Sequence, residues 1–98
     1  MYIETALIKI AVIPAYEPDE MLIEVASEAS ASGFEVVVVD DGSVSGNSVK
    51  SGKVPREKYD RIFGDVMSFA HVIRYPENRG KGYAMKQAFA YILNLVFL

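Results

Sequence analysis

Val36-Val37-Val38-Val39-Asp40-Asp41-Gly42-Ser43 decides the fold of this chain. Four consecutive β-branched apolar residues describe a strand covered on both faces, as in a parallel sheet. Two carboxylates, a glycine and a serine follow directly. In open parallel sheets ligands bind just beyond the carboxyl ends of the strands. The acidic pair therefore stands where such a fold keeps its chemistry.

Working outward, strands and helices alternate. Ala6 to Ile13 reads as a first strand that Pro14 ends, since proline cannot donate to a central ladder. Asp19 and Glu20 form an acidic first turn. Leu22, Val25, Ala26 and Ala29 then recur on one helical face, and Gly33 terminates it. Phe34 to Val39 is the second strand. Gly42 to Val54, with three glycines and four serines, reads as a surface loop without periodicity. Pro55 opens a second helix marked by Tyr59, Ile62, Phe63 and Val66. His71 to Tyr75 is a short third strand, and Pro76 to Gly80 a turn. Met85, Ala88, Phe89 and Ile92 mark a third helix. Leu95 to Leu98 either begins a fourth strand or extends that helix. The pattern predicts βαβ units with right-handed crossovers. The expected architecture is a three-layer α/β/α domain around a mostly parallel sheet of three to four strands.

Composition sets limits on function. The 98 residues suffice for one domain, spanning 1–98, with 51% hydrophobic and 23% charged residues. A net charge of −3 and the absence of basic runs argue against nucleic acid. No cysteine is present, so there is neither a disulfide framework nor a thiolate metal site, which is compatible with a cytoplasmic chain. With Glu4 and Lys9 the N-terminus reads as a poor signal peptide, and no transmembrane segment is expected, because the apolar run from Tyr91 to Leu98 is too short to span a bilayer. The chain stops inside that run, from which we expect the N-terminal part of something larger.

Three segments should converge at the carboxyl edge: Pro14-Ala15-Tyr16-Glu17, Asp40-Asp41-Gly42-Ser43 and Asn78-Arg79-Gly80-Lys81-Gly82. Singly each has a plain reading. Tyr16 can pack on its loop, Asp40 and Asp41 can cap a turn, the glycines can serve the turn, and Lys81 can be solvated. Together they offer what a nucleotide needs. A base can stack on Tyr16, Asp41 can accept from a base N–H, and Glu17 can accept from ribose hydroxyls. Backbone N–H groups near Gly80 and Gly82, with Lys81, can face an anion at a helix N-terminus. This reading requires Tyr16, Asp41 and Gly80 to be neighbours at one rim.

The three motifs, Val12 to Glu17, Val39 to Ser43 and Asn78 to Ala84, resemble in order and spacing those of the family 2 glycosyltransferases, nearest the dolichol-phosphate mannosyl- and glucosyltransferase branch. The resemblance spans residues 8 to 93. It implies the Rossmann-like half of a GT-A fold, a UDP- or GDP-linked sugar as ligand, and a transferase whose complete form is cytoplasmic or membrane-associated. Pro14 to Glu17 would form the base and ribose edge. Asp41 would bind the base with Asp40 beside it, and Asn78 to Gly82 would line the nucleotide side. Two departures stand out. Ser45 occupies a place where the family carries an acidic residue, and no Asp-x-Asp metal motif occurs anywhere. The Mg²⁺ or Mn²⁺ of the complete family enzyme therefore has no ligands expected here, and no catalytic residue is expected in these 98 positions. The expected function is donor-nucleotide binding within a sugar transferase, without turnover by this chain alone; the alternative is a non-catalytic α/β interaction fragment. An NAD-binding domain or a nucleotidyltransferase would want glycines after the first strand, where Pro14 to Pro18 has none. A phospho-receiver module would want an aspartate ending the third strand, where Tyr75-Pro76 stands. An open sheet edge or the apolar C-terminal segment would favour a homo-oligomer.

Overall fold

The valine run is the central layer of the protein. In the computed structural model, which describes residues 1–4 and 8–97, Val36, Val37, Val38 and Val39 are all 4% exposed or less. They belong to β3 (Glu35–Asp41), which pairs in parallel with β2 (Lys9–Ala15) on one side and with β4 (His71–Tyr75) on the other. A short β1 (Tyr2–Glu4) adds antiparallel to β2, giving the order β1-β2-β3-β4. The fold is α/β, with a four-stranded, mostly parallel sheet and four helices among the described residues, compatible with a Rossmann-like half-domain.

Successive strand residues point to opposite faces, and the two faces have different cores. Val36 and Val38 meet Leu22 and Ala26 of α1 (Met21–Ala31) and Tyr59, Ile62, Phe63 and Val66 of α3 (Arg56–Val66). Val37 and Val39, with Ile10 and Val12, meet Ala84, Ala88 and Ile92 of α4 (Lys81–Phe97). Each such valine contributes about 1.5–3 kcal/mol by leaving water. The helical periodicities thus assign the right faces, with one correction. Val25 is 44% exposed and lies at the rim of α1 rather than in its core.

Other differences have local causes. Pro14 does not end β2; it is paired opposite Val39 inside the strand. The Val12 N–H donates to Met1 O, so the even-numbered N–H groups of β2 point toward β1. Beyond Val12 that side carries no β1 residue, and a missing donor at 14 leaves no gap in the β2–β3 ladder. The segment after β3 is not irregular. It folds into a 3₁₀ turn (Ser43–Ser45) and a four-residue α2 (Asn47–Lys50), held by Ser45 Oγ donating to the Gly42 carbonyl and by the Ser48 N–H donating to the distant Glu17 carboxylate, contacts that periodicity does not register. Gly33 does take the left-handed conformation after α1, at φ 91°. At the other end, α4 continues to Phe97, so no strand begins at Leu95, while Leu98 lies outside the described residues, as do positions 6 and 7 of the expected first strand. β1 is the strand that the sequence reading lacked. It covers part of the outer edge of β2, from Lys9 to Val12.

Phe63 is 1% exposed and also lies under the Arg74 guanidinium, 4.9 Å from the ring centre. Phe63→Ala is expected to lower unfolding free energy by about 3–5 kcal/mol in urea titrations. A loss below about 1 kcal/mol would mean that the α3 layer is not the packed core described here.

Candidate functional site

The adjacent carboxylates do not form a pair. Strand alternation sends Asp40 to the α3 face and Asp41 to the α4 face, each in register with a different β4 residue, Arg74 and Tyr75. Asp40 is 1% exposed. Its Oδ1 accepts the Ser43 N–H at 3.0 Å and its Oδ2 accepts Arg74 Nε at 2.8 Å. Arg74 Nη2 in turn reaches Asp60 Oδ1 at 3.0 Å. Burial alone would lower the Arg74 pKa, but the hydrogen bonds to Asp40 and Asp60 reverse this and hold the guanidinium protonated above its usual range. Asp40 is therefore a buried ion-pair member on the α3 face of the sheet, opposite the face that Asp41 occupies.

Asp41 organises the turn between β4 and α4. Its Oδ1 accepts the Tyr75 hydroxyl at 2.7 Å and the Arg79 N–H at 2.8 Å. Its Oδ2 accepts Asn78 Nδ2 at 3.1 Å and the Gly80 N–H at 2.9 Å. Asn78 Nδ2 also reaches the Asp41 carbonyl at 3.1 Å. A carboxylate has about four lone-pair positions, and here four protein donors fill them. The carboxylate sits at the entry to α4, where the helix dipole favours negative charge. Tyr75 lies edge-on to Tyr83 at 5.0 Å, and Arg79 covers Tyr83 at 5.4 Å.

The other rim residues fall into two groups. Pro14, Ala15, Tyr16, Asp41, Asn78, Gly80 and Lys81 surround one cleft of about 400 Å³, with Ala84 as part of its wall. The neighbourhood of Tyr16, Asp41 and Gly80 required by the sequence reading is thus present. Glu17, Gly42 and Ser43 support this cleft from behind. Glu17 is held at φ 49°, its N–H donating to Ser43 Oγ at 2.9 Å and its Oε1 accepting the Ser48 N–H at 3.0 Å. Gly42 has φ 73°, and a Cβ there would overlap the Glu77–Asn78 peptide, so only glycine lets the two loops touch. Gly82 is exposed in the first turn of α4 and lines neither this cleft nor the cavity beside it. The residue that sequence reasoning missed is Tyr75. Its signal was its place at the end of a strand, where the register brings it beside Asp41.

Asp40 and Asp41 do not converge on one cation. The oxygens of Asp40 and Asp41 are taken by protein donors on opposite faces, and among the described residues no group of three or more His, Cys, Asp or Glu side chains could hold a metal. No described helix is long and apolar enough to cross a membrane.

Gly42→Ala is expected to cost about 3 kcal/mol, from a left-handed β-carbon plus overlap with the facing peptide, read as a lowered urea midpoint. Tyr75 gives a pH prediction. Burial first, then the hydrogen bond to Asp41, push its hydroxyl pKa above the ordinary 10.0. The folded chain then keeps a proton that the unfolded chain releases, so this stabilisation is whole below pH 10.0 and falls as pH rises beyond it. Urea midpoints measured from neutral to strongly alkaline pH should fall more steeply for the native chain than for Tyr75→Phe; parallel curves would count against the Tyr75–Asp41 bond.

Comparison with known proteins gives one relative of note. Dolichyl-phosphate beta-glucosyltransferase of Saccharomyces cerevisiae is 28% identical over 88 residues, an alignment covering 83% of this chain and 25% of the relative. The chain thus spans about a quarter of that protein's length. No family model matches, and no solved structure does. The similarity supports a glycosyltransferase-like relationship for a chain whose α/β sheet carries a cleft at its carboxyl edge.

Proposed function

We propose that this chain is the donor-nucleotide-binding portion of a family 2 glycosyltransferase with a GT-A arrangement, acting on a UDP- or GDP-linked sugar. The observation that carries the reading is the cleft in which Tyr16, Asn78, Gly80 and Lys81 converge beyond the ends of the parallel strands. The glucosyltransferase similarity over most of the chain supports the same class. Tyr16, 44% exposed, presents a ring on which a base can stack. Pro14, Ala15 and Ala84 form an apolar floor, and Lys81 brings a cation to the rim. Asp41 contributes in this reading by holding Arg79 and Gly80 in place, because its own acceptors are already engaged. The reading assigns this chain binding and no turnover.

One observation favours a second reading. The saturation of Asp41 by the turn is also what a purely structural role would produce, leaving a non-catalytic α/β interaction fragment.

Titration of the ¹⁵N-labelled chain with UDP and with GDP separates the two. Under the nucleotide reading, the amides of Tyr16, Asn78 and Lys81 shift first, and Tyr16→Ala weakens binding about tenfold or more, the scale of one base–aromatic stack. No hydrolysis or transfer of UDP-glucose or GDP-mannose is expected from this chain. Absence of any nucleotide-induced shift would leave the second reading.

A further inference from the structure

A pocket that selects one base sets a hydrogen-bonding group against each polar atom of the base edge. The wrong base then leaves such a group unpaired, and rejection reaches about 10⁴-fold. The cleft has few groups to give to this task. Asp41 is 6% exposed, and its two oxygens already accept from the Tyr75 hydroxyl, from Asn78 Nδ2 and from the Arg79 and Gly80 N–H groups. Both hydrogens of Asn78 Nδ2 are spent on Asp41, one on its carboxylate and one on its carbonyl. The Gly80 carbonyl accepts the Ala84 N–H at 3.1 Å. Beside Tyr16, the Glu17 N–H is held by Ser43 Oγ, and Pro14 has no N–H to offer.

A base N–H could be accepted by Asp41 only if one of its four present donors let go. That donor would be stranded beside a buried carboxylate, and one hydrogen bond would merely replace another, so the exchange returns no net attraction. What the cleft does offer is a ring and an apolar floor. Tyr16 is 44% exposed and shares the cleft with Pro14, Ala15 and Ala84. Every base has a π-face, so an aromatic stack holds purines and pyrimidines alike, and its modest preference follows stacking strength. Lys81, exposed at the same rim, brings a charge that meets phosphate whatever the base.

From this hydrogen-bond inventory we infer that the cleft takes nucleoside diphosphates without reading the base edge. The base is held by its face on Tyr16, and Asp41 stays with the turn when the ligand is bound. The ligand class of the cleft is therefore the nucleoside diphosphate as such, with ring size and not edge chemistry setting the order of affinity. The inference rests on the nucleotide reading above and narrows how that reading works.

Calorimetry with UDP, CDP, GDP and ADP tests this on the native chain. UDP and CDP have the same ring size but exchange an acceptor for a donor on the base edge, and so do GDP and ADP. Within each pair the affinities should agree to about threefold, with the purine pair tighter than the pyrimidine pair by about tenfold or less. Tyr16→Ala, checked for folding by circular dichroism, should weaken all four by a similar factor of about ten or more. The Arg79 and Gly80 amides, bonded to Asp41, should keep their protection from solvent exchange when nucleotide binds. Discrimination within a pair beyond about threefold, or loss of that protection on binding, would mean that the edge is read, and would overturn the inference while leaving the nucleotide reading in place. Unchanged affinity in Tyr16→Ala would remove the stack and overturn it as well. Failure of all four to bind overturns both.

Discussion

The Asp41 carboxylate is the constraint on which the rim depends. It collects the Tyr75 hydroxyl, the Asn78 amide and two consecutive backbone N–H groups, and so joins the ends of β3 and β4 to the start of α4. Hydrogen bonds to a charged acceptor are worth about 1.5–3 kcal/mol each in favourable cases, and a donor left without its partner costs a comparable amount. The turn from Pro76 to Gly80 has little apolar burial of its own to fix its path. Its position, and with it the wall of the cleft, follows from this one side chain and from the close approach that Gly42 permits.

The same network reassigns chemistry within the motif. An anion is present at the entry to α4, but it belongs to the protein. On the proposed nucleotide reading, a ligand entering the cleft would meet a rim already shaped, with Tyr16 and Lys81 as its exposed contact groups. Preorganisation of this kind reduces the ordering cost that a ligand must offset. It also confines any ligand phosphate to groups that the carboxylate does not already hold.

Much of the fold was legible because its signals are local and strong. Four valines in a row, the spacing of Tyr59, Ile62, Phe63 and Val66, and the stop at Gly33 each have a single physical reading, and each corresponds to an observed element. What escaped depends on partners distant in sequence. Whether Pro14 lies inside a strand turns on which neighbour its missing donor faces, and that neighbour is set by Met1. The order of the segment after β3 rests on Glu17, some thirty residues upstream, accepting from Ser48. At the site, the strand-end positions of the three motifs anticipated that Tyr16, Asp41 and Gly80 would be neighbours, but not that Asp40 and Gly82 would lie outside the cleft. They did not reveal that two consecutive aspartates serve different layers, because adjacency in sequence looks like adjacency in space until the pleat is considered.

That last feature gives the strand a hidden address code. Hydropathy would scarcely notice the loss of one valine from Val36–Val39, and the strand would still be apolar and still be buried. Yet counting from the β3–β4 register, every later side chain would change sides. The carboxylate meant for the α4 entry would face the arginine, and its predecessor would meet a wall of aliphatic groups. The length of the run, odd or even, therefore carries information that its composition does not. Among related chains, insertions and deletions in this strand should come in twos or be absent.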